Sequence, residues 1–376
     1  MNMNEVNKEE FGVWLNDILR LHKFSEIKFE ITGKSGKGDG YIGDLVFLDV
    51  TAKQNKETKN FNVVMKYGKP SEEIRKEFPI REAFKREILT YRTIFQKFRE
   101  LESQHNVKII DTLFPKYFGG HIYDNQEVLL LQNMTKLDYQ IHDRFHPFNL
   151  DHLKLSFENY ERKSFLKRNE EDVFSVLQSK GEVDMIREFR KKIPNGYREN
   201  LVRTEKANEK AVLIHGDCWN NNFMFKYNDS NKMKPAAMVF IDLQMAELQS
   251  PAIDLTSHLY STASQEELNH TSELISVYYE SLSSTMRQLG SDPEIVFPYN
   301  ELLRQWKKYS LVGLLLGTIL FPFSLVDSKD AKDLDFFRNN KTNKGMYANV
   351  KKENEEQLSS RVLAIIKHYL EFDVNK

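Results

Sequence analysis

The chain has 376 residues, 40% hydrophobic and 29% charged, a balance that suits a globular protein long enough for two domains with sizeable cores. Its 54 Lys and Arg against 55 Asp and Glu leave a net charge of −1, without the basic excess that would suggest an electrostatic nucleic-acid binder. Cys218 is the only cysteine, so internal disulfides and Cys-rich zinc modules are excluded and a reducing, cytoplasmic location is expected.

Met1 to Glu10 is polar and acidic, without the apolar core of a signal peptide. Phe11, Trp14, Ile18 and Leu21 then recur at helical spacing and predict an amphipathic helix. A glycine-dense, charged segment follows, with Gly33, Gly36, Gly38, Gly40 and Gly43. Leu45 to Val50 and Phe61 to Tyr67 read as strands joined by a polar hairpin turn. Phe84, Ile88, Tyr91, Phe95 and Phe98 mark a strong helix, and Val128 to Leu131 a short apolar strand.

From there the pattern is mostly helical. Residues 151–210 are rich in lysine and glutamate and predict helices with exposed faces. A hairpin interrupts them: Phe223 to Tyr227, the turn Asn228 to Lys234, and Ala237 to Ile241. Ser250-Pro251 supplies an N-cap and a proline at the first helical position. The apolar run Leu311 to Val326 is too short for an ordinary membrane span and predicts a buried helix. Residues 327–354 read as a long polar surface loop, and Leu358, Val362, Ile365 and Tyr369 as one face of a final helix.

The chemistry concentrates around the hairpin. His215-Gly216-Asp217-Cys218-Trp219-Asn220-Asn221-Asn222 is followed by Phe240-Ile241-Asp242. Opposed residues of an antiparallel hairpin lie roughly 5 Å apart, so Asn222 and Asp242 are expected to face each other with Asp217 just ahead. Two hard oxygen ligands beside a further carboxylate suit a magnesium–phosphate site. Asp217 and Asn222 also keep the aspartate-to-asparagine interval of the kinase catalytic loop. His215 reads better as a brace, hydrogen-bonded to nearby backbone, than as a metal ligand, because magnesium prefers oxygen. Cys218 reads as small-residue packing. Trp219 fits a pocket wall or a core equally.

Gly38, Gly40 and Gly43 match G-x-G-x-x-G, a weak signal alone, but the strand, turn and Val63-Val64-Met65-Lys66 follow in order. A lysine closing an apolar strand calls for an anion, and Glu87 on the following helix is the expected partner. The commonplace reading of both is a solvated surface pair. Asp254, at the start of a capped helix, has two open readings: a favourable charge on the helix dipole, or a functional support.

Taken together these residues resemble the ecdysteroid kinase-like family of insects, also called CHK-kinase-like proteins, relatives of choline kinases and aminoglycoside phosphotransferases. The resemblance rests on Gly36 to Tyr41, Val64-Met65-Lys66, Phe84 to Tyr91, His215 to Asn222, Phe240 to Gln244, and Ser250 to Leu255. It implies an α+β, bilobal protein-kinase-like fold: an antiparallel-sheet N-lobe at 1–131, a hinge at 132–136, and a mainly helical C-lobe at 137–376. It also implies ATP- and Mg2+-dependent phosphorylation of a small-molecule hydroxyl. By position Asp217 would be the base, Asn222 and Asp242 the magnesium ligands, Lys66 the phosphate clamp and Glu87 its partner. Gly38 and Gly40 would cover the phosphates, Gln132 and Met134 would line the adenine side, and Asp254 would buttress the catalytic loop. The chain departs from the family at Gly40 and Gly43, where Asn and Ser are usual, and at Gln132-Asn133, where Glu-Asp is usual.

Two rival readings are a catalytically inactive binding protein on the same fold, and a protein kinase. Against the second, Gly216 stands where H-R-D has arginine, Asp242-Leu243-Gln244 replaces D-F-G, and A-P-E is absent. No nucleic acid, membrane or obligatory protein partner is expected. An apolar acceptor pocket is expected from regions 137–210 and 300–340, with Phe145, Phe148, Phe157, Trp306, Tyr309, Phe321 and Phe323, although most of these suit an ordinary core.

Overall fold

The structure, a computed structural model, describes residues 8–36, 43–124, 126–159, 210–228, 232–325 and 350–372, with 184, 187 and 191 as isolated positions. It is an α+β protein of two compact units. One comprises the chain up to Ser103 with Lys108–Gln140, and the other Ile141–Val326 with the C-terminal helix.

The first unit is a five-stranded antiparallel sheet in the order β1-β2-β3-β5-β4. Its strands are β1 (Ser25–Lys34), β2 (Gly43–Gln54), β3 (Glu57–Gly68), β4 (Tyr117–Ile122) and β5 (Glu127–Gln132). Strand alternation sets its two faces. Val46, Leu48 and Val50 of β2, Val63, Met65 and Tyr67 of β3, and Val128 and Leu130 of β5 form one core with Phe11, Trp14, Leu15, Ile18 and Leu19 of α1 (Lys8–Arg20). Lys66 therefore points to the opposite face. There lie α2 (Glu72–Glu77) and α3 (Ile80–Leu89).

In this unit sequence periodicity missed two strands. In β1 the apolar residues Phe29 and Ile31 alternate with charged ones and are only half-buried, as befits an edge strand with little apolar signal. In β4 the Gly119-Gly120 pair hides the pattern, since glycine carries no side chain to alternate. The expected helix over 84–98 forms but is not continuous: a π turn at Thr90–Ile94 separates α3 from α4 (Phe95–His105). Leu21, expected on the buried face of α1, is 73% exposed because the helix ends at Arg20.

The second unit is mainly helical, with α5 (Leu150–Glu158), α6 (Pro251–Thr262), α7 (Thr271–Gln288), α8 (Tyr299–Ser324) and α9 (Glu355–Glu371). Its hairpin strands β7 (Phe223–Tyr227) and β8 (Pro235–Phe240) stand beside a second pair, β6 (Val212–Ile214) with β9 (Glu247–Gln249). The run from Leu311 lies within α8, where Leu314, Leu315, Ile319 and Phe321 are buried. No helix among the described residues is long and apolar enough to cross a membrane. Phe148, Phe157, Trp306, Tyr309 and Phe321 are all buried and serve as core, whereas Phe145 is half-buried. The side chain of Phe323, most of 151–210 and the expected loop up to 349 lie outside the described residues.

Helix α6 is buried along its whole length, Pro251 to Thr262, and packs tightly on α8. Gly313 and Gly317, one helical turn apart, allow the approach: a Cβ at Gly317 would sit 2.8 Å from Tyr260 Cβ, and one at Gly313 would overlap Thr256. Gly313→Ala is expected to destabilise the protein by about 1–3 kcal/mol through overpacking. A thermal unfolding midpoint equal to wild type would refute this close packing.

Candidate functional site

In the first unit, Lys66 Nζ lies 2.7 Å from Glu87 Oε2, with Lys66 only 7% and Glu87 0% exposed. The pair is therefore not a solvated surface contact. Lys66 sits opposite Leu129 in the sheet register, and Glu87 comes one turn after Phe84 on α3. The Phe84 ring lies 5.6 Å from the ammonium. Removing one partner of a buried pair leaves an uncompensated charge and typically costs about 3–5 kcal/mol. A lysine so held presents a fixed positive charge at a fixed place, which is what an anionic phosphate needs.

Gly38 and Gly40 lie outside the described residues; Gly43 opens β2, paired with Gly68. Residues 132–136, the expected hinge, belong to the first unit. The Asn133 N–H donates to Asn62 O at 3.0 Å, and Lys136 Nζ is 3.5 Å from Asp49. Asn133 caps the short turn Met134–Leu137, accepting from the Thr135 N–H at 3.1 Å. Gln132 is tied to Lys116, whose N–H donates to its Oε1 at 3.4 Å, while Met134 is buried. A second buried ion cluster escaped the sequence reading. Glu127, 0% exposed, accepts from both Arg75 Nη1 and Nη2, at 3.0 and 2.7 Å, with Arg81 at 3.5 Å. These partners come from distant positions, so no local pattern announces them.

In the second unit, β6 ends at Ile214 and the chain turns through Gly216, whose φ of 97° lies in the left-handed region that glycine adopts without strain. Asp217 is half-buried. Asn222 Nδ2 donates to Asp217 Oδ2 and to Asp217 O, both at 2.8 Å. The loop thus holds its own aspartate and asparagine together before β7 begins at Phe223. Trp219 is buried as core.

The hairpin register differs from expectation by one residue. Phe223 pairs with Phe240, and the Ile241 N–H donates to Asn222 O at 3.1 Å, so Ile241 rather than Asp242 stands opposite Asn222. Asp242 is the next residue along, with a φ of 67°. For a non-glycine residue this left-handed backbone is uncommon, and aspartate tolerates it better than most. The chain leaves the strand at this position, so the carboxylate is presented at the end of the hairpin.

Two supporting roles also came out differently. The His215 ring makes no hydrogen bond through either nitrogen; it packs on Phe240 at 5.7 Å. Its backbone N–H does the bracing, donating to Asp254 Oδ2 at 2.9 Å. Cys218, expected only to fill space, donates through Sγ to Asp254 Oδ1 at 3.1 Å. Asp254 is 0% exposed on the first turn of α6, behind the Ser250 cap and Pro251. Of its two open readings, helix charge and support, the geometry adds contact with the loop on both sides of Asp217. The Ser261 hydroxyl, further along α6, donates to Cys218 O at 2.6 Å. No sequence signal marked Ser261, because its role depends on which face of α6 meets the loop. Beneath the hairpin His258 packs on Phe223 at 4.6 Å, and complete burial pushes its pKa down to about 3, so it is neutral.

The donor set fits magnesium. Asn222 uses its amide N–H groups on Asp217, so Oδ1 is the atom it could offer a cation, and Asp242 carries a carboxylate. Both are hard oxygen donors, and magnesium commonly takes one or two protein ligands, with phosphate oxygens and water completing the octahedron. Among the described residues no cluster of three or more His, Cys, Asp or Glu forms an all-protein metal cage.

A family model described as the ecdysteroid kinase-like family matches residues 37–162 and 161–291 of the chain, more than half of its length. No curated protein matches it. Among solved structures, an aminoglycoside-3'-phosphotransferase of type VIII aligns at 12% identity over 81% of this chain and 98% of that one. Its TM-score is 0.29, too low to carry any argument.

Proposed function

The chain belongs to the ecdysteroid kinase-like family, and from that premise we propose that it is an ATP- and Mg2+-dependent phosphotransferase with a protein-kinase-like fold. Its acceptor is a hydroxyl of a small molecule such as an ecdysteroid or a xenobiotic alcohol or glycoside. The observation that carries this reading is the Asp217–Asn222 hydrogen bond at 2.8 Å, one strand pair away from Asp242. It unites a base and metal-binding oxygens in one short loop.

In this mechanism Asp217 orients the acceptor hydroxyl and takes its proton as the oxygen attacks the γ-phosphorus in line; the bond to the β-phosphate oxygen breaks and ADP leaves. Lys66, fixed by Glu87, holds phosphate oxygens of ATP. Asn222 Oδ1 and Asp242 would hold magnesium, which when bound neutralises charge on the phosphates. Asp254 keeps the loop in place through His215 N–H and Cys218 Sγ. Gly38 and Gly40 cover the phosphates, and Gln132 and Met134 line the adenine. Most of the rate enhancement is then positioning and charge neutralisation rather than covalent chemistry. We place the protein in the cytoplasm, where ATP is abundant and Cys218 stays reduced.

The test combines nucleotide binding with turnover. ATP with Mg2+ is expected to raise the unfolding midpoint, as a ligand of the folded state must, and Asp242→Ala to abolish both this magnesium-dependent rise and turnover. Labelled ATP incubated with ecdysteroids, phenolic glycosides and choline-like amines should phosphorylate at least one class. Binding without any transfer across that panel would favour the inactive binding protein instead.

A further inference from the structure

Lys66 is held from two directions by one turn of α3. Glu87 Oε2 stands 2.7 Å from its ammonium, and the centre of the Phe84 ring lies 5.6 Å from the same Nζ. An ammonium within about 6 Å of an aromatic face is attracted by the ring quadrupole, and more strongly once water is excluded. Here it is excluded: Phe84 and Glu87 are buried completely, and Lys66 almost so. Residues three apart on a helix lie side by side, so carboxylate and ring reach the lysine together.

The ring itself is wedged. Its Cζ edge abuts Gly43, the residue that opens β2 where the glycine-dense segment ends. A Cβ at Gly43 would stand 3.1 Å from Phe84 Cζ and 2.9 Å from Tyr67 O, so the bare α-carbon is what lets the ring sit there. In the β2–β3 ladder Gly43 pairs with Gly68 and Leu45 with Lys66, which makes these successive rows on one face of the sheet. The ring thus bridges the start of β2 and the lysine. An aliphatic side chain could fill the same volume, but it would bring no quadrupole to the ammonium.

We propose that Phe84 is a positioning residue for phosphate transfer. Its ring fixes the Lys66 ammonium against Glu87 and sets its distance from Gly43, the root of the segment expected to cover the phosphates. It therefore acts on the nucleotide through the lysine and not by contact. This deepens the kinase reading and rests on it for the nucleotide alone; the hold on Lys66 is a property of the free protein.

Phe84→Leu tests this on the full chain, with Ile88→Val as the control. Ile88 is a buried residue of the same helix that meets β4 instead: a Cβ at Gly120 would stand 2.8 Å from its Cγ1. The first readout needs no nucleotide. It is the rate at which acetic anhydride acetylates Lys66, followed by peptide mass spectrometry at a temperature where the proteins are folded. Phe84→Leu should raise this rate about fivefold, and Ile88→Val by less than about twofold. The second readout is the Kd for ATP with Mg2+, which should rise about tenfold in Phe84→Leu and stay at the wild-type value in Ile88→Val. Gly43→Ala crowds the ring without altering the lysine or the carboxylate, and should raise both quantities about threefold; it carries the test if the leucine variant does not fold. Acetylation of Lys66 at the wild-type rate in Phe84→Leu, or in Gly43→Ala where that variant stands in for it, overturns the proposal. So does an equal rise in Ile88→Val, which would make Phe84 ordinary core. A wild type that binds no ATP removes the kinase reading and leaves acetylation to decide the role of Phe84.

Discussion

Asp217→Asn is expected to cut turnover by about 10²- to 10⁴-fold while the Kd for ATP with magnesium changes less than about threefold. The amide has nearly the shape of the carboxylate and still offers an oxygen to Asn222 Nδ2, which now sits 2.8 Å from Asp217 Oδ2. Loop geometry is therefore kept, and so is Asn222 Oδ1, the atom proposed to hold the metal. What is lost is the capacity to accept a proton at the moment the acceptor oxygen attacks. Rates from a coupled ADP assay and affinities from nucleotide titration separate the two effects. Collapse of ATP binding in this variant would mean that Asp217 holds the loop rather than acts as base. Loss of rate through KM alone would point the same way, since a base acts in the transition state and not in ground-state binding.

The second large effect is on stability. Asp254→Ala should lower stability by about 2–4 kcal/mol, seen as a fall of roughly 5–10 °C in the unfolding midpoint. The carboxylate is wholly buried and receives the His215 N–H at 2.9 Å and the Cys218 thiol at 3.1 Å. Alanine leaves the backbone donor buried without an acceptor, and that is the expensive half of a broken hydrogen bond. Asp254→Asn should be milder, because its amide oxygen can still accept from His215. Both variants should also lose activity at temperatures where they are folded, since residues 215 and 218 flank Asp217. A midpoint for Asp254→Ala within about one degree of wild type would show that the loop stands without this support.

Much of the site could be read from short-range pattern. Asp217 and Asn222 share one loop, so their meeting needed only the correct turn, and the turn residues were visible. The Lys66–Glu87 pair was legible for a related reason: strand alternation puts Lys66 opposite Val63, Met65 and Tyr67, and helical spacing brings Glu87 beside Phe84. Hairpin register was less legible, because Phe223 to Phe225 and Met238 to Phe240 are apolar without alternation, so no polar face marks the register that a one-residue slip would otherwise invert. His215 illustrates another limit. Its importance to the loop was foreseen, but the bond runs through its backbone, which every residue possesses, while the imidazole packs against Phe240.

Local order along the chain was sufficient to determine the helices α1, α3, α6 and α9, the hairpin, and the short loop that brings Asp217 and Asn222 together. Each depends on periodicity, capping or turn chemistry within a few residues, where the chain itself keeps the groups close. Tertiary structure alone decided the Cys218–Asp254 bond, the Arg75–Glu127 cluster, and the close seating of α6 on Gly313 and Gly317. These join residues dozens of positions apart, and nothing in the sequence between them specifies the distance. Burial is what selects such partners: once a charge or an N–H is removed from water, the fold must bring it a counterpart or leave the need for one.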